Sequence, residues 1–302
     1  MKNDSASSTA FTVVQGILHI ARSTDYPGGQ LVSDSVSQFC ENLLHSSEEG
    51  RRRLRQMSTS WGYRLLLLKE KLLMPGISLH YALRKRYIED YISAQLEQGC
   101  TQVINLGAGF DSLLYRLSQE YPHVNLIEVD HPATQAVKVD AFQQILAKTN
   151  TTMPENLHFL PVEFESQEVQ TALQSSECFN VDRPTVYIFE GVLPYLNPET
   201  VVRNFQALKS LGHPTFSVIF SAVVPLSKHL KSFGVLFNLY LKLKGEPLNW
   251  MCETESLPGF FKTFGFKILD TCDAEGFKRN YLPENFNGPM QVVEYMAVAV
   301  PD

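Results

Sequence analysis

The chain has 302 residues, 44% of them apolar and 19% charged, with a formal net charge of −6. That length can bury a large core in one α/β domain, and the composition is that of a folded protein, not a disordered one. The acidic balance argues against a nucleic-acid partner, since phosphate binding depends on clustered Lys and Arg. The five cysteines, Cys40, Cys100, Cys178, Cys252 and Cys272, are odd in number and scattered. They imply no disulfide framework and no zinc set, so no metal is expected and a reducing cytoplasm is the simplest compartment.

Residues 1–9 are small and polar and are expected to form a mobile leader. The stretch from Ala10 to Ile20 is fairly apolar, but Gln15 and His19 interrupt it, and Asp4 stands where a secretory leader carries basic residues. Patterns through residues 10–99 are mainly helical, ending with Tyr87 to Leu96. Within them, Arg51-Arg52-Arg53-Leu54-Arg55 reads as a solvated helix face balanced by Glu48 and Glu49.

From Thr101 onward strands and helices alternate, the signature of a parallel sheet with crossover helices. Strands are predicted near 102–107, 125–130, 157–163, 185–190 and 215–223. After them come an apolar helical insertion (about 226–243), a helix near 254–264, a strand at 267–271 and a last strand at 292–300. The most apolar run, Phe233 to Leu241, is too short to span a bilayer, so no membrane partner is expected. The expected organisation is one domain over 10–302, with a helical cap at 10–99 and an α/β core at 100–302.

The most informative stretch is Val103-Ile104-Asn105-Leu106-Gly107-Ala108-Gly109-Phe110-Asp111. Val103, Ile104 and Leu106 form a short apolar run typical of a parallel strand buried on both faces. Gly107 and Gly109 permit a tight turn and leave no side chain between backbone and ligand. Asp111 stands at an N-cap position ahead of Leu113, Leu114 and Leu117. The next strand ends at Asp130, about twenty residues beyond the turn, where an acid can accept hydrogen bonds from two ribose hydroxyls. A nicotinamide fingerprint would need a third glycine where Ser112 stands, and a P-loop would need a lysine that this turn lacks. Elimination leaves S-adenosylmethionine as the expected cofactor, with S-adenosylhomocysteine as product. A purely structural turn with a chance acid is the competing reading.

Asn105 through Asp111, then Tyr115-Arg116-Leu117, Glu128-Val129-Asp130 and His131-Pro132, resemble the leucine carboxyl methyltransferase family. The closer likeness is to its bacterial branch of S-adenosylmethionine-dependent O-methyltransferases, some of them tied to polyketide biosynthesis. Phe189-Glu190-Gly191-Val192-Leu193-Pro194-Tyr195-Leu196 resembles the family's E-G-V-L-x-Y-L segment, and Gly245-Glu246-Pro247-Leu248 resembles another bacterial stretch. The similarity runs from about Arg22 to the C-terminus. It implies a doubly wound, Rossmann-like class I methyltransferase sheet, mostly parallel with its last strand antiparallel, under an N-terminal helical cap.

The same resemblance assigns cofactor residues. Gly107, Ala108 and Gly109 would cradle the cofactor and Asp130 its ribose. The cap would supply a cation for the methionine carboxylate, with Arg22 matching one basic position and Arg84 and Arg86 a second. An Arg fork suits a carboxylate, since it can donate two parallel hydrogen bonds. Leu31 to Val36 lacks the proline of the family's D-P-x-A segment, which leaves the N-terminal register open. Glu163 would accept the adenine amino hydrogens and Phe164 would pack on the ring, although relatives usually carry Asp there; a plain surface charge is the alternative for Glu163. Glu190 would contact the methionyl part, with Gly191 allowing close approach. A carboxylate at so apolar a strand end calls for a partner.

Methyl transfer from a sulfonium is an in-line displacement on carbon that needs alignment and exclusion of water. A carboxylate acceptor needs no general base, whereas an alcohol or phenol would use one. His80, His131, His213 and His229 have no context marking them for that role, so no catalytic residue is named. Tyr195 is expected on the substrate side, with core packing an equal alternative, and Trp250 is a second candidate there. The insertion, through Phe233, Leu236, Phe237, Leu239 and Tyr240, would form a lid over an apolar acceptor, pack on the sheet, or make a dimer surface. The expected function is O-methyl transfer to a carboxylate or hydroxyl of a small organic acceptor, with the oligomeric state unread. Two alternatives are carboxyl methylation of a protein C-terminal leucine, as in the family's eukaryotic members, and cofactor binding without transfer. A nicotinamide oxidoreductase is more distant.

Overall fold

The computed structural model describes residues 7–24, 26–27, 31–164, 167–225 and 247–302. The expected insertion at 226–243, Gly245 and Glu246, and most of the expected leader lie outside the described residues. The strands are β1 (Gln102–Leu106), β2 (Asn125–Asp130), β3 (Leu157–Pro161), β4 (Thr185–Phe189), β5 (Phe216–Val223), β6 (Phe266–Cys272) and β7 (Glu294–Pro301). They form one seven-stranded sheet in the order β3-β2-β1-β4-β5-β7-β6. The first five run parallel, and β7 lies antiparallel between β5 and β6. This is the doubly wound, class I methyltransferase-type sheet, with its one reversed strand where the sequence reading expects it.

Strands β1, β4 and β5 are buried along their whole length, which explains their nearly unbroken apolar sequences. Side chains alternate between two faces. Val103, Val186, Ile188 and Ile219 join the core under the N-terminal helices. Ile104, Tyr187, Phe189 and Phe220 join an aromatic core on the other side, where Phe205 meets Phe261 edge-on at 4.8 Å. Each fully buried side chain of this size contributes about 1.5–3 kcal/mol. β7 begins at Glu294, two residues later than predicted, because the Gln291 side chain takes the N–H groups of Val293 and Glu294.

The N-terminal helices are α1 (Ser8–Arg22), α2 (Asp34–Ser46), α3 (Glu48–Ser58), α4 (Ser60–Leu73) and α5 (Ile77–Glu97). Ser7, Ser33, Ser47 and Thr59 accept backbone N–H bonds at the starts of the first four. Helix α5 starts differently: Gly76 adopts φ +77°, and Glu70 of α4 binds the backbone and hydroxyl of Ser78 at 3.2 and 2.6 Å. The remaining helices are α6 (Leu113–Glu120), α7 (Pro132–Thr149), α8 (Val169–Gln174), α9 (Pro198–Ser210), α10 (Leu257–Lys262) and α11 (Ala274–Tyr281). Among the described residues, no helix is long and apolar enough to cross a membrane.

Strand order reverses direction between β1 and β4, because β1 pairs β2 on one side and β4 on the other. A crevice therefore opens at the C-terminal ends of these two strands. The register Asn105↔Ile188, continued outward, brings the Gly107 turn beside Glu190.

Candidate functional site

A cavity of about 540 Å³ lies at that crevice, roofed by α1 and by the N-terminal half of α5. A more open hollow of about 800 Å³ lies at the opposite end of the strands, around Asn125, Asn156 and Arg183, away from the glycine turn. The turn is tied to the tip of β2. Gly107 and Ala108 donate to the Val129 carbonyl at 2.7 and 3.2 Å, and Gly109 donates to Asp130 Oδ2. Gly107 and Gly109 hold φ values of +79° and +48°, and a Cβ at Gly107 would stand 2.2 Å from Val192 Cγ2. Left-handed backbone and lack of space both demand glycine at 107.

Asp130 is preset by two backbone donors, since the His131 N–H reaches its Oδ1 at 2.6 Å. Burial raises its carboxyl, while the Gly109 and His131 amides oppose the shift. Each oxygen retains acceptor capacity toward the cavity. Below the turn, Glu128 and Lys138 pair at 2.5 Å, and burial pushes the Glu128 carboxyl up to about 7 against the pull of Lys138.

A second group of charges spans the crevice. Arg84 donates from Nε to Glu190 at 2.8 Å and from Nη1 to both oxygens of Glu294 at 2.7 and 2.8 Å. Lys85 reaches Glu190 and Asp111, each at 2.9 Å. His80 donates from Nε2 to Glu294 at 2.9 Å, the tautomer an ionised acceptor requires. Burial alone would raise the Asp111 and Glu294 carboxyls. Lys85 beside the first and Arg84 beside the second reverse that, holding each at about 2. Burial pulls Lys85 down, and Asp111 and Glu190 more than offset it, so its ammonium stays charged. The lining as a whole carries Asp111, Asp130, Glu163, Glu190 and Glu294 against the fixed cations Arg84 and Lys85. Five carboxylates against two cations leave three negative charges in excess.

Ten sequence-predicted residues line the cavity together: Arg84, Gly107, Ala108, Gly109, Asp130, Glu163, Phe164, Glu190, Gly191 and Tyr195. Glu163 lies 3.9 Å from His131 Nε2. Gly191 holds φ +66°, and a Cβ there would stand 3.7 Å from Arg84 Nη2. Three predicted residues stand elsewhere. Arg22 ends α1 on the outer surface, where it pairs with Glu41 at 2.8 Å. Arg86 pairs with Asp90 one helical turn on and is 44% exposed, because two residues along α5 from Arg84 points to another side. Trp250 is buried in the aromatic core against Phe260, not in the cavity wall.

The sequence reading missed several participants. Lys85 was hidden between two arginines. Glu294 opens an otherwise apolar strand, and His80 lies four residues before Arg84 on one face of α5, which were the available signals. Asp111 was read only as a cap. It does accept the Leu113 N–H at 3.0 Å, but its other oxygen holds Lys85. Gln291 lines the cavity with Oε1 fixed by two backbone N–H groups, which settles the amide's orientation, and its Nε2 has no partner among the described residues.

The chain is similar to known proteins over different shares of its length. The sequence model of the leucine carboxyl methyltransferase family matches residues 18–209. A Mycolicibacterium gilvum protein, provisionally named an S-adenosyl-L-methionine-dependent methyltransferase, is 31% identical over 236 residues, 72% of each chain. A Mycobacterium marinum protein with the same provisional name is 30% identical over 135 residues, 45% of this chain and 41% of its own, so less than half of that relative is spanned. A DUF574 family protein from Streptomyces avermitilis superposes with a TM-score of 0.61 over 99% of this chain and 98% of its own; at 12% identity this speaks to the fold alone. With the family matched over well over half of its length, the chain belongs to the leucine carboxyl methyltransferase family.

Proposed function

We propose that the cavity binds S-adenosylmethionine and that the protein transfers its methyl group to an oxygen of a small organic acceptor. The observation that carries this reading is the excess of carboxylates around a preset ribose acceptor, Asp130, a setting that favours a cationic adenosyl ligand. The names of the relatives support the same cofactor. Bound there, S-adenosylmethionine supplies a methyl group already activated by the sulfonium.

The chain's own residues bind, orient and keep water out. Asp130 accepts from the ribose hydroxyls without reorganising, because its oxygens are already held by backbone amides. Glu163 and Phe164 receive the adenine, the first as acceptor and the second as an apolar face. Arg84 spends Nε and Nη1 on Glu190 and Glu294, leaving Nη2, beside Gly191, for the methionine carboxylate. The fixed amide of Gln291 offers its Nε2 hydrogens to an acceptor oxygen. Tyr195, Leu196, Val223 and Leu248 give that side of the cavity its apolar wall.

Calorimetric titration with S-adenosylhomocysteine tests the cofactor. Micromolar binding that Asp130→Asn weakens about tenfold to a hundredfold supports it, since a charged hydrogen bond contributes roughly 1.5–3 kcal/mol. A folded parent that ignores both S-adenosylmethionine and its product overturns it. Release of S-adenosylhomocysteine on addition of aromatic hydroxy acids or their carboxyl-blocked esters then separates carboxylate from hydroxyl transfer.

A further inference from the structure

Helix α4 has no buried residue and carries five of the eight large apolar side chains exposed among the described residues. Trp61 is 76% exposed, Leu65 44%, Leu68 51% and Leu72 51%. Their spacing of four, three and four residues places them within a sector about 60° wide on an α-helix. Arg64 and Lys71 flank that stripe on one side and Lys69 on the other, all exposed. The opposite face, through Tyr63, Leu66, Glu70 and Leu73, holds α4 to the fold: Tyr63 bonds His19 at 2.7 Å, and Glu70 binds Ser78. The stripe therefore points outward because its back is already committed.

Charge identifies the occupant. Helix α3, just before it, adds exposed Arg51, Arg52 and Arg55. Residues 48–73 hold seven Lys and Arg against three Glu, in a chain whose net charge is −6. A two-fold contact between copies would set these cations against one another. An anionic surface with an apolar interior meets both the stripe and its flanks. We propose that α4 is an in-plane docking element for an anionic lipid bilayer, entering to the depth of Trp61 and the three leucines, with α3 adding electrostatic attraction. The sequence expectation of no membrane partner rests on spanning length, which an interfacial helix does not need. The end of α4 leads to Met74 and Ile77, which line the cavity.

Sedimentation with phosphatidylcholine vesicles, with and without phosphatidylglycerol, tests this, with tryptophan emission as the second readout. Trp250 is buried, so a blue shift reports Trp61. The expected result is binding that requires phosphatidylglycerol, weakens with salt and shifts emission to the blue. Leu65→Ser/Leu68→Ser should lower partition by about tenfold or more, and Arg64→Glu/Lys71→Glu by about tenfold, with the circular-dichroism spectrum unchanged. Three results would overturn it: a folded parent that stays in the supernatant with both lipids; a leucine variant that binds as the parent does; or a dimer that this variant splits while vesicles are ignored, which would assign the stripe to a second copy.

Discussion

Two cationic runs of the helical cap occupy opposite media. In α5 the Arg84 side chain is 6% exposed and is gripped by Glu190 and Glu294. In α3 the Arg52 side chain is 72% exposed and, among the described residues, pairs with Glu49 at 2.6 Å. Both make short ion pairs, but the consequences differ. Water screens and competes for the outer pair, which contributes little to stability. Inside, removing one partner strands an uncompensated charge, so the pairing fixes how α5 sits against β4 and β7. The comparison teaches that the medium around an ion pair, more than its length, decides what the pair does.

The largest effect should come from breaking the inner set. Arg84→Met leaves Glu190 and Glu294 buried without their guanidinium and should cost about 3–5 kcal/mol in urea unfolding. A loss no larger than that of a surface substitution would erase the distinction between the two runs. Acid gives a second test. Asp111 and Glu294 sit at about 2, below their ordinary 3.8 and 4.5, so the stability they contribute is complete above those ordinary values. It drains away as pH falls from about 4.5 to about 2, and denaturation series across that window should show a loss of a few kcal/mol. Lys85→Met should rank next, costing roughly 2 kcal/mol and lifting the Asp111 carboxyl, readable by carboxyl NMR. The smallest effect belongs to the outer run: Arg52→Ala should leave the melting temperature where it was, and a clear drop would show that α3 depends on its surface pairs.

Much of the fold was legible because its signals are local. The apolar run Val103 to Leu106, its glycine turn and Asp130 announce a buried parallel strand, the bend after it and the tip of its neighbour. The observed boundaries of β1, β2 and β4 lie within one residue of those read. Tyr195 and Glu163, each with two readings open, both reach the cavity wall. Arg22 and Trp250 show where motif position fails: the first lies on a helix end turned toward α2, the second on a chain segment folded into the aromatic core.

From the sequence alone came the sheet, the crevice, the acid at the tip of β2 and the glycines, since backbone conformation and strand burial leave their mark within a few neighbouring residues. Only the tertiary structure decided which cation of Arg84-Lys85-Arg86 faces inward, that Glu294, a full 210 residues from Arg84, shares its guanidinium, and that the leucines of α4 face outward. Pairing across such separations depends on which surfaces meet when helices close over a sheet. A run of like residues carries no record of that choice.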